Sequence, residues 1–216
     1  MRELTSNELL YIAGAMRWTI LLSLVSLACG MLGGLILALA RTSHVRVLRL
    51  SVVAYFKVMQ GTPLLMQIFM AFFLPGVFGF DVNPFLAAAA ALSLHASAFL
   101  GDIWRGCIEE VPKGQREAAR ALALPYIVTT LWVIIPQAVR LAVPPSVGFL
   151  VQLIKGTSLT ALVGFVEITR AAQIVNNATF KPFVIFSFVC ACYFIVCWPL
   201  SLFSRYLEGR MRIPSH

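Results

Sequence analysis

The sequence is short of charge. Asp, Glu, Lys and Arg together make up 12% of its 216 residues, about half the share usual in soluble proteins. Acidic residues are the scarcer kind, nine against seventeen Lys and Arg, which leaves a net charge of +8. No G-x-x-x-x-G-K-[ST] loop occurs, so the chain cannot hold ATP in the P-loop manner. H-E-x-x-H and G-x-S-x-G are missing as well, which removes a zinc protease and a nucleophile elbow. The three histidines, His44, His95 and His216, are scattered. Of the five cysteines, Cys29, Cys190, Cys192 and Cys197 lie in apolar runs, and Cys107 follows one beside Arg105. Cys190-Ala191-Cys192 lacks the two-residue spacer of a zinc or redox pair, and no histidine is near. Free cysteine packs as a small hydrophobe, so no disulfide framework, metal site or catalytic constellation is expected.

What the sequence has is apolar surface. Apolar residues reach 60% of the chain, the composition of one polytopic membrane domain over residues 1–216 and not of a soluble core. The N-terminal Met1–Glu8 is mixed in charge and leads into an apolar stretch too long for a signal-peptide core. Its length points to a membrane span, so it is expected to be retained. In a soluble protein the basic excess would suggest nucleic acid. Here the basic residues cluster in short segments between apolar runs, so they report orientation in the bilayer, and no nucleic-acid partner is expected.

Five spans are predicted, at about 18–40, 60–74, 85–104, 141–165 and 182–203. The first contains Gly30 and Gly34 at a G-x-x-x-G spacing, either a helix–helix contact face or the ordinary glycine content of membrane helices. In the second, Lys57, Gln60, Gly61, Thr62 and Pro63 interrupt the run. A short approach helix is expected before Gly61, with the crossing part from about Pro63 to Leu74 and a loop over Pro75–Pro84. The region Tyr126–Val166 carries Pro136, Arg140, Pro144, Pro145 and Lys155. It reads as a half-buried helix over Tyr126–Ile135 followed by one broken span. Irregular backbone at membrane depth must be buried in protein or line a cavity, which places Pro144–Gly164 against the pathway. Basic residues follow the first span (Arg41, Arg46, Arg49), the third (Arg105, Lys113, Arg116, Arg120) and the fifth (Arg205, Arg210, Arg212). The positive-inside rule then puts the N-terminus out and the C-terminus in. A sixth span would leave the last arginines outside.

Against this oily background, Lys113–Leu124 is a polar, alanine-rich helix. Pro112 and Gly114 open it, Glu117 suits its early turns, and Pro125 biases Leu124 out of the helical region. Glu117 and Arg120, three apart, are positioned to pair with each other or with a partner. Composition leaves two readings open, an amphipathic interface helix or a slim rod for a partner's groove.

Glu117-Ala118-Ala119, three residues, Ala123, nine residues, then Val133-x-Ile135-Pro136 resembles the EAA signature of ABC importer permeases. Ala123 stands where that signature has glycine. Gln60-Gly61-Thr62-Pro63-Leu64-Leu65, Val111-Pro112-Lys113-Gly114-Gln115, Leu153–Leu159 and Gly164–Arg170 are similar to the polar-amino-acid branch (His/Glu/Gln/Arg/opine type). The resemblance implies an all-α, MetI-like permease fold with five transmembrane helices in a bacterial inner membrane. It implies a second permease subunit, identical or paralogous, two ABC ATPase subunits inside, and an extracytoplasmic binding protein that delivers an amino acid. The chain itself would bind no cofactor, and ATP and Mg would sit on the ATPase. The coupling helix would be the segment with Lys113, Gly114, Gln115, Glu117, Ala118, Ala119, Arg120 and Ala123.

Polar residues within or beside the spans are candidates for the solute pathway. Glu167 either contacts a substrate amino group or clasps Arg170 at i+3. Lys155 is either functional or snorkels. Gln60, Thr62, Gln152, Thr157 and Ser158 either line the path or hydrogen-bond helices together. Asp102 reads first as an ion-pair partner of Arg105. A rival reading, an ion-coupled carrier or channel subunit, would need an internal repeat or several intramembrane acids, and Asp102 is the one candidate acid within a span.

Overall fold

The computed structural model describes residues 4–41 and 45–211. Its first helix, α1 (Ser6–Arg41), begins well before the expected span. The Glu8 carboxylate accepts the backbone N–H of Thr5 at 3.0 Å, half of a capping box. Ile12 and Ala15 on these added turns are buried. Tertiary packing, not hydropathy, therefore sets where α1 starts.

Helix α2 (Arg46–Gly61) and helix α3 (Leu64–Val77) meet at a bend of 103° across Thr62-Pro63. The expected break is there because Pro63 has no N–H to give and takes extended backbone as the N-cap of α3. Helix α3 outlasts the expected loop boundary at Pro75, which sits inside its last turn. Helix α4 (Pro84–Glu110) is started by the Asn83 side chain, which accepts the Phe85 N–H at 2.8 Å, with Pro84 at the first helical position. A short polar helix, α5 (Lys113–Ala121), follows.

The next region corrects the sequence reading. From Tyr126 to Val163 the chain forms one continuous helical run, not a separate helix followed by a broken span. It comprises α6 (Tyr126–Val128), a π-helical stretch (Thr129–Ile134), α7 (Ile135–Gly156) and a 3-10 stretch (Thr157–Val163). Proline normally clashes with the carbonyl four residues back. Ahead of Pro136 the wider π turn, in which the Ile135 N–H reaches back to the Thr130 carbonyl, accommodates the ring. Pro144 and Pro145 lie inside α7, and the Pro144 carbonyl accepts Ser204 Oγ at 2.8 Å. Within the expected Pro144–Gly164, the irregular backbone is confined to Thr157–Val163, ending on Gly164 with φ +85. Helix α8 (Ile168–Thr179) and helix α9 (Pro182–Met211) complete the chain.

Four helical runs are long and apolar enough to cross a membrane, and five when the bent α2–α3 pair counts as one span. The centre is the seam of α1 and α4. A Cβ on Gly34 would stand 3.0 Å from the Gly101 nitrogen and 3.2 Å from Leu100 Cβ, and one on Gly30 would overlap Ala96. The G-x-x-x-G pair is thus a contact face, because only bare backbone allows this approach. Leu22, Leu92, Leu100, Phe149 and Leu153 extend the core onto α7. A second cluster joins Ile12 to Ile168, Ala172, Ile185 and Val189, tying the first turns of α1 to α8 and α9. Large apolar side chains point outward in number, as a lipid-facing surface requires, and α9 buries only Ile185, Val189 and Cys197.

Candidate functional site

Helix α5 buries a single residue and sets two exposed arginines beside it. Ala119 is buried at 3% exposure. On the same face Arg116 donates to the Ile108 carbonyl at 3.2 Å, and Arg116 and Arg120 line a cavity with Thr129 and Ile134. Lys113, Gly114, Gln115, Arg116, Glu117, Ala118 and Arg120 are all exposed. At 100° per residue Gly114, Ala118 and Ala121 share the outward face, a narrow small-residue ridge edged by Glu117. Of the two alternatives for Glu117 and Arg120, the pair with each other does not form among the described residues; Arg120 lines the cavity.

The helix ends in a full Schellman turn. The Ala123 N–H bonds to the Arg120 carbonyl at 2.9 Å, and the Leu124 N–H to the Ala119 carbonyl at 3.0 Å. This geometry puts Ala123 at φ +52. A left-handed backbone suits glycine, so the alanine carries strain that a glycine would not. Leu122 within the turn and Trp132 beyond it are exposed at 74% and 78%.

The other candidates separate into three places. At the α2–α3 bend, Gln60 donates weakly to Asp102 at 3.4 Å, while Asp102 pairs with Arg105 at 2.9 Å and Arg105 with Glu109 at 2.6 Å. Gln60, Asp102 and Arg105 line a cavity of about 220 Å³ with Arg41 and Lys57. Thr62 is fastened by Gln67, whose amide donates to the Thr62 carbonyl, Thr62 Oγ1 and the Met59 carbonyl, at 3.1, 2.9 and 2.8 Å. At the end of α7, Gln152 and Lys155 are exposed, and neither lines that cavity. Ser158 Oγ and Thr157 Oγ1 are spent on the Lys155 and Ile154 carbonyls, each at 2.7 Å, and Thr157 is wholly buried.

Glu167 stands in the third place, with no exposed surface. It caps α8: Oε1 accepts the backbone N–H of Arg170 at 2.9 Å and Oε2 accepts the Tyr193 hydroxyl at 3.1 Å. The Arg170 guanidinium reaches Gln173 instead, at 3.2 Å. The clasp is therefore to the backbone of residue 170 and not to its charge. Burial pushes the Glu167 carboxyl above its ordinary value, against the opposing pull of the Thr169 and Arg170 N–H groups and Tyr193. Next to it the Ile168 N–H donates to Thr19 Oγ1 at 3.3 Å.

Sequence reasoning missed Gln67 and His95. His95 Nδ1 lies 3.1 Å from Gln67 Oε1 and its ring packs on Phe99, so one α4 histidine steadies the amide that holds the bend. A lone glutamine in the run Leu64–Leu74 and a lone histidine in an apolar helix were the available signals.

A bundle of apolar spans and a polar helix with an exposed small-residue ridge define a multi-pass membrane protein. The chain belongs to the family of binding-protein-dependent transport system inner membrane components, whose model matches residues 30–213. It is 37% identical over 201 residues to the L-cystine transport system permease protein TcyB of Bacillus subtilis (strain 168), covering 93% of this chain and 86% of that one. To the glutamine transport system permease protein GlnP of Escherichia coli (strain K12) it is 35% identical over 206 residues, with 94% of each covered. A chain in the crystal structure of an amino acid ABC transporter with histidines superposes with a TM-score of 0.89 at 30% identity, covering 93% and 94%. The protein is thus a non-catalytic permease subunit of an ABC importer in the bacterial inner membrane, working with a separate ATPase and a binding protein.

Proposed function

We propose that this permease passes polar amino acids handed over by its extracytoplasmic binding protein, and that α5 transmits ATPase motion to the spans. The relatives are named for cystine and glutamine, and the similar structure for histidines. These solutes share the α-amino acid group and differ in side chain, so the choice among them falls to the binding protein. Two ATPases bind ATP and Mg and seat the ridge of Gly114, Ala118 and Ala121, with Glu117 and Lys113 along one edge. A second permease, a copy or a relative, closes the pathway; much of α9 is left unburied for such a partner or for lipid. The N-terminus faces out and the C-terminus in, by the clustering of basic residues on the side of α5.

Gln152, Lys155 and Ser158 with Gln60 and Thr62 border the solute path in this reading, because an exposed lysine in a membrane-spanning run needs water or a partner. Glu167 and Thr157 belong to the scaffold, since each is buried and its polar atoms are already used. The observation that carries the proposal is the outward small-residue ridge of α5 next to an exposed Glu117. The test is Glu117→Lys in the assembled transporter. Substrate-stimulated ATPase activity and uptake should fall about tenfold, the scale of reversing a charge at an interface, with membrane insertion intact. Uptake at the wild-type rate by a fully inserted variant would remove α5 from the coupling role.

A further inference from the structure

Two adjoining cavities lie on the α5 side of the bundle. One, of about 450 Å³, sits between α1, α4 and α7 and is walled almost entirely by apolar side chains such as Met31, Val139 and Leu150. Its volume falls in the usual range of ligand pockets, roughly 300–1,000 Å³. Its possible polar groups are internally spent: Trp104 Nε1 donates to Ser146 Oγ at 2.9 Å, and Ser146 donates to the Ala142 carbonyl at 2.7 Å. The second cavity, of about 410 Å³, is polar and carries Arg116 and Arg120. Leu39, Ile108 and Ile135 line both, so the apolar slot borders the cavity that the two arginines line.

We infer that this double cavity is a site for one anionic phospholipid of the leaflet on the α5 side, with an acyl chain in the slot and the phosphate between Arg116 and Arg120. The shape argues for a lipid and not a free anion, because a soluble phosphate has no use for the apolar half. The charge argues for an acidic headgroup. Lipid tails are as apolar as the slot, so chain insertion discriminates little, and preference must come from the arginines. Glu109, the acid lining the polar half, is already paired with Arg105. Arg120 has no ion-pair partner among the described residues. Arg116 and Arg120 are also one helical turn apart on the side of α5 that buries Ala119, so a bound headgroup would brace the very helix whose other face is free for a partner. The inference needs the chain to sit in a bilayer; it does not need α5 to meet an ATPase.

The test uses Trp104, which lines the slot. The assembled transporter is reconstituted in phosphatidylcholine vesicles with either phosphatidylglycerol or phosphatidylcholine brominated on its chains at equal mole fraction. The Trp104 share of the emission is the difference between wild type and a Trp104→Phe transporter. Brominated phosphatidylglycerol should quench that share with an apparent preference of about fivefold per arginine, the scale of a basic side chain meeting an anionic headgroup. Arg116→Gln with Arg120→Gln should bring the preference near unity, and the paired lysine substitutions should restore most of it. Equal quenching by both lipids, a preference that survives the glutamine pair, or no quenching by either because protein fills the slot, would each overturn the site. So would displacement of the brominated lipid by inorganic phosphate.

Discussion

The two ends of the bundle treat their polar groups in opposite ways. At the Glu167 end, a carboxylate, a tyrosine hydroxyl, a threonine and two backbone N–H groups consume one another inside the chain. At the α5 end Lys113, Glu117 and Arg120 stay open, and a small-residue ridge lies bare. A buried polar group left unpaired is costly, so internal pairing marks structure. Exposed charge that pairs with nothing described in its own chain, as at Lys113 and Glu117, marks a place kept for something else. The carboxylates of Glu117 and Glu167 are chemically alike, and their surroundings give them different work.

This contrast can be broken most forcefully at Glu167. Glu167→Ala removes the α8 cap and a partner of Tyr193, a loss of about 2–3 kcal/mol, and the apparent thermal midpoint of the detergent-solubilised protein should fall by roughly 5–10 °C. An unchanged midpoint would show that the network is not structural. Glu117→Lys should do the reverse: coupled ATPase activity drops about tenfold, while the same midpoint does not move. If both properties fell together, the two ends would not be distinct.

A smaller effect is expected at Ala123. Ala123→Gly relieves left-handed strain worth about 1 kcal/mol, so hydrogen exchange at the Ala123 and Leu124 amides should slow about fivefold. Faster exchange would mean that the turn is held from elsewhere. The smallest effect is a pH dependence. The folded protein holds the Glu167 proton more tightly than the unfolded chain does, because burial raises the carboxyl from its ordinary 4.5. Stability from this group is therefore greatest at low pH and declines as pH rises above that ordinary value toward the raised one. Glu167→Gln keeps an acceptor for the Arg170 N–H and should flatten this decline. A wild-type curve no steeper than that of the variant would rule the contribution out.

Much of the architecture was legible along the chain. Apolar runs of bilayer length, the Thr62-Pro63 break and the polar island at α5 each follow from local composition. The glycine spacing at Gly30 and Gly34 left a contact face and ordinary glycine content both open, and only the packing against α4 decides for the first. Pro136, Pro144 and Pro145 misled, because proline is a strong local breaker and the π turn that absorbs Pro136 has no sequence signature of its own. Ala123 was visible as a departure from the signature, yet only the backbone shows that the turn forms regardless, with the strain left in place.

The sequence by itself determined the membrane setting and the island of polarity between α4 and α6. Hydrophobic run length and charge clustering act locally and are measured against a bilayer of set thickness. The tertiary structure decided which polar residues are used up and which stay open. Thr19 meets the Ile168 N–H across 149 positions, and Glu167 meets Tyr193 across 26. Such partners exist only once helices pack, because no local pattern specifies which distant donor a buried acceptor will find.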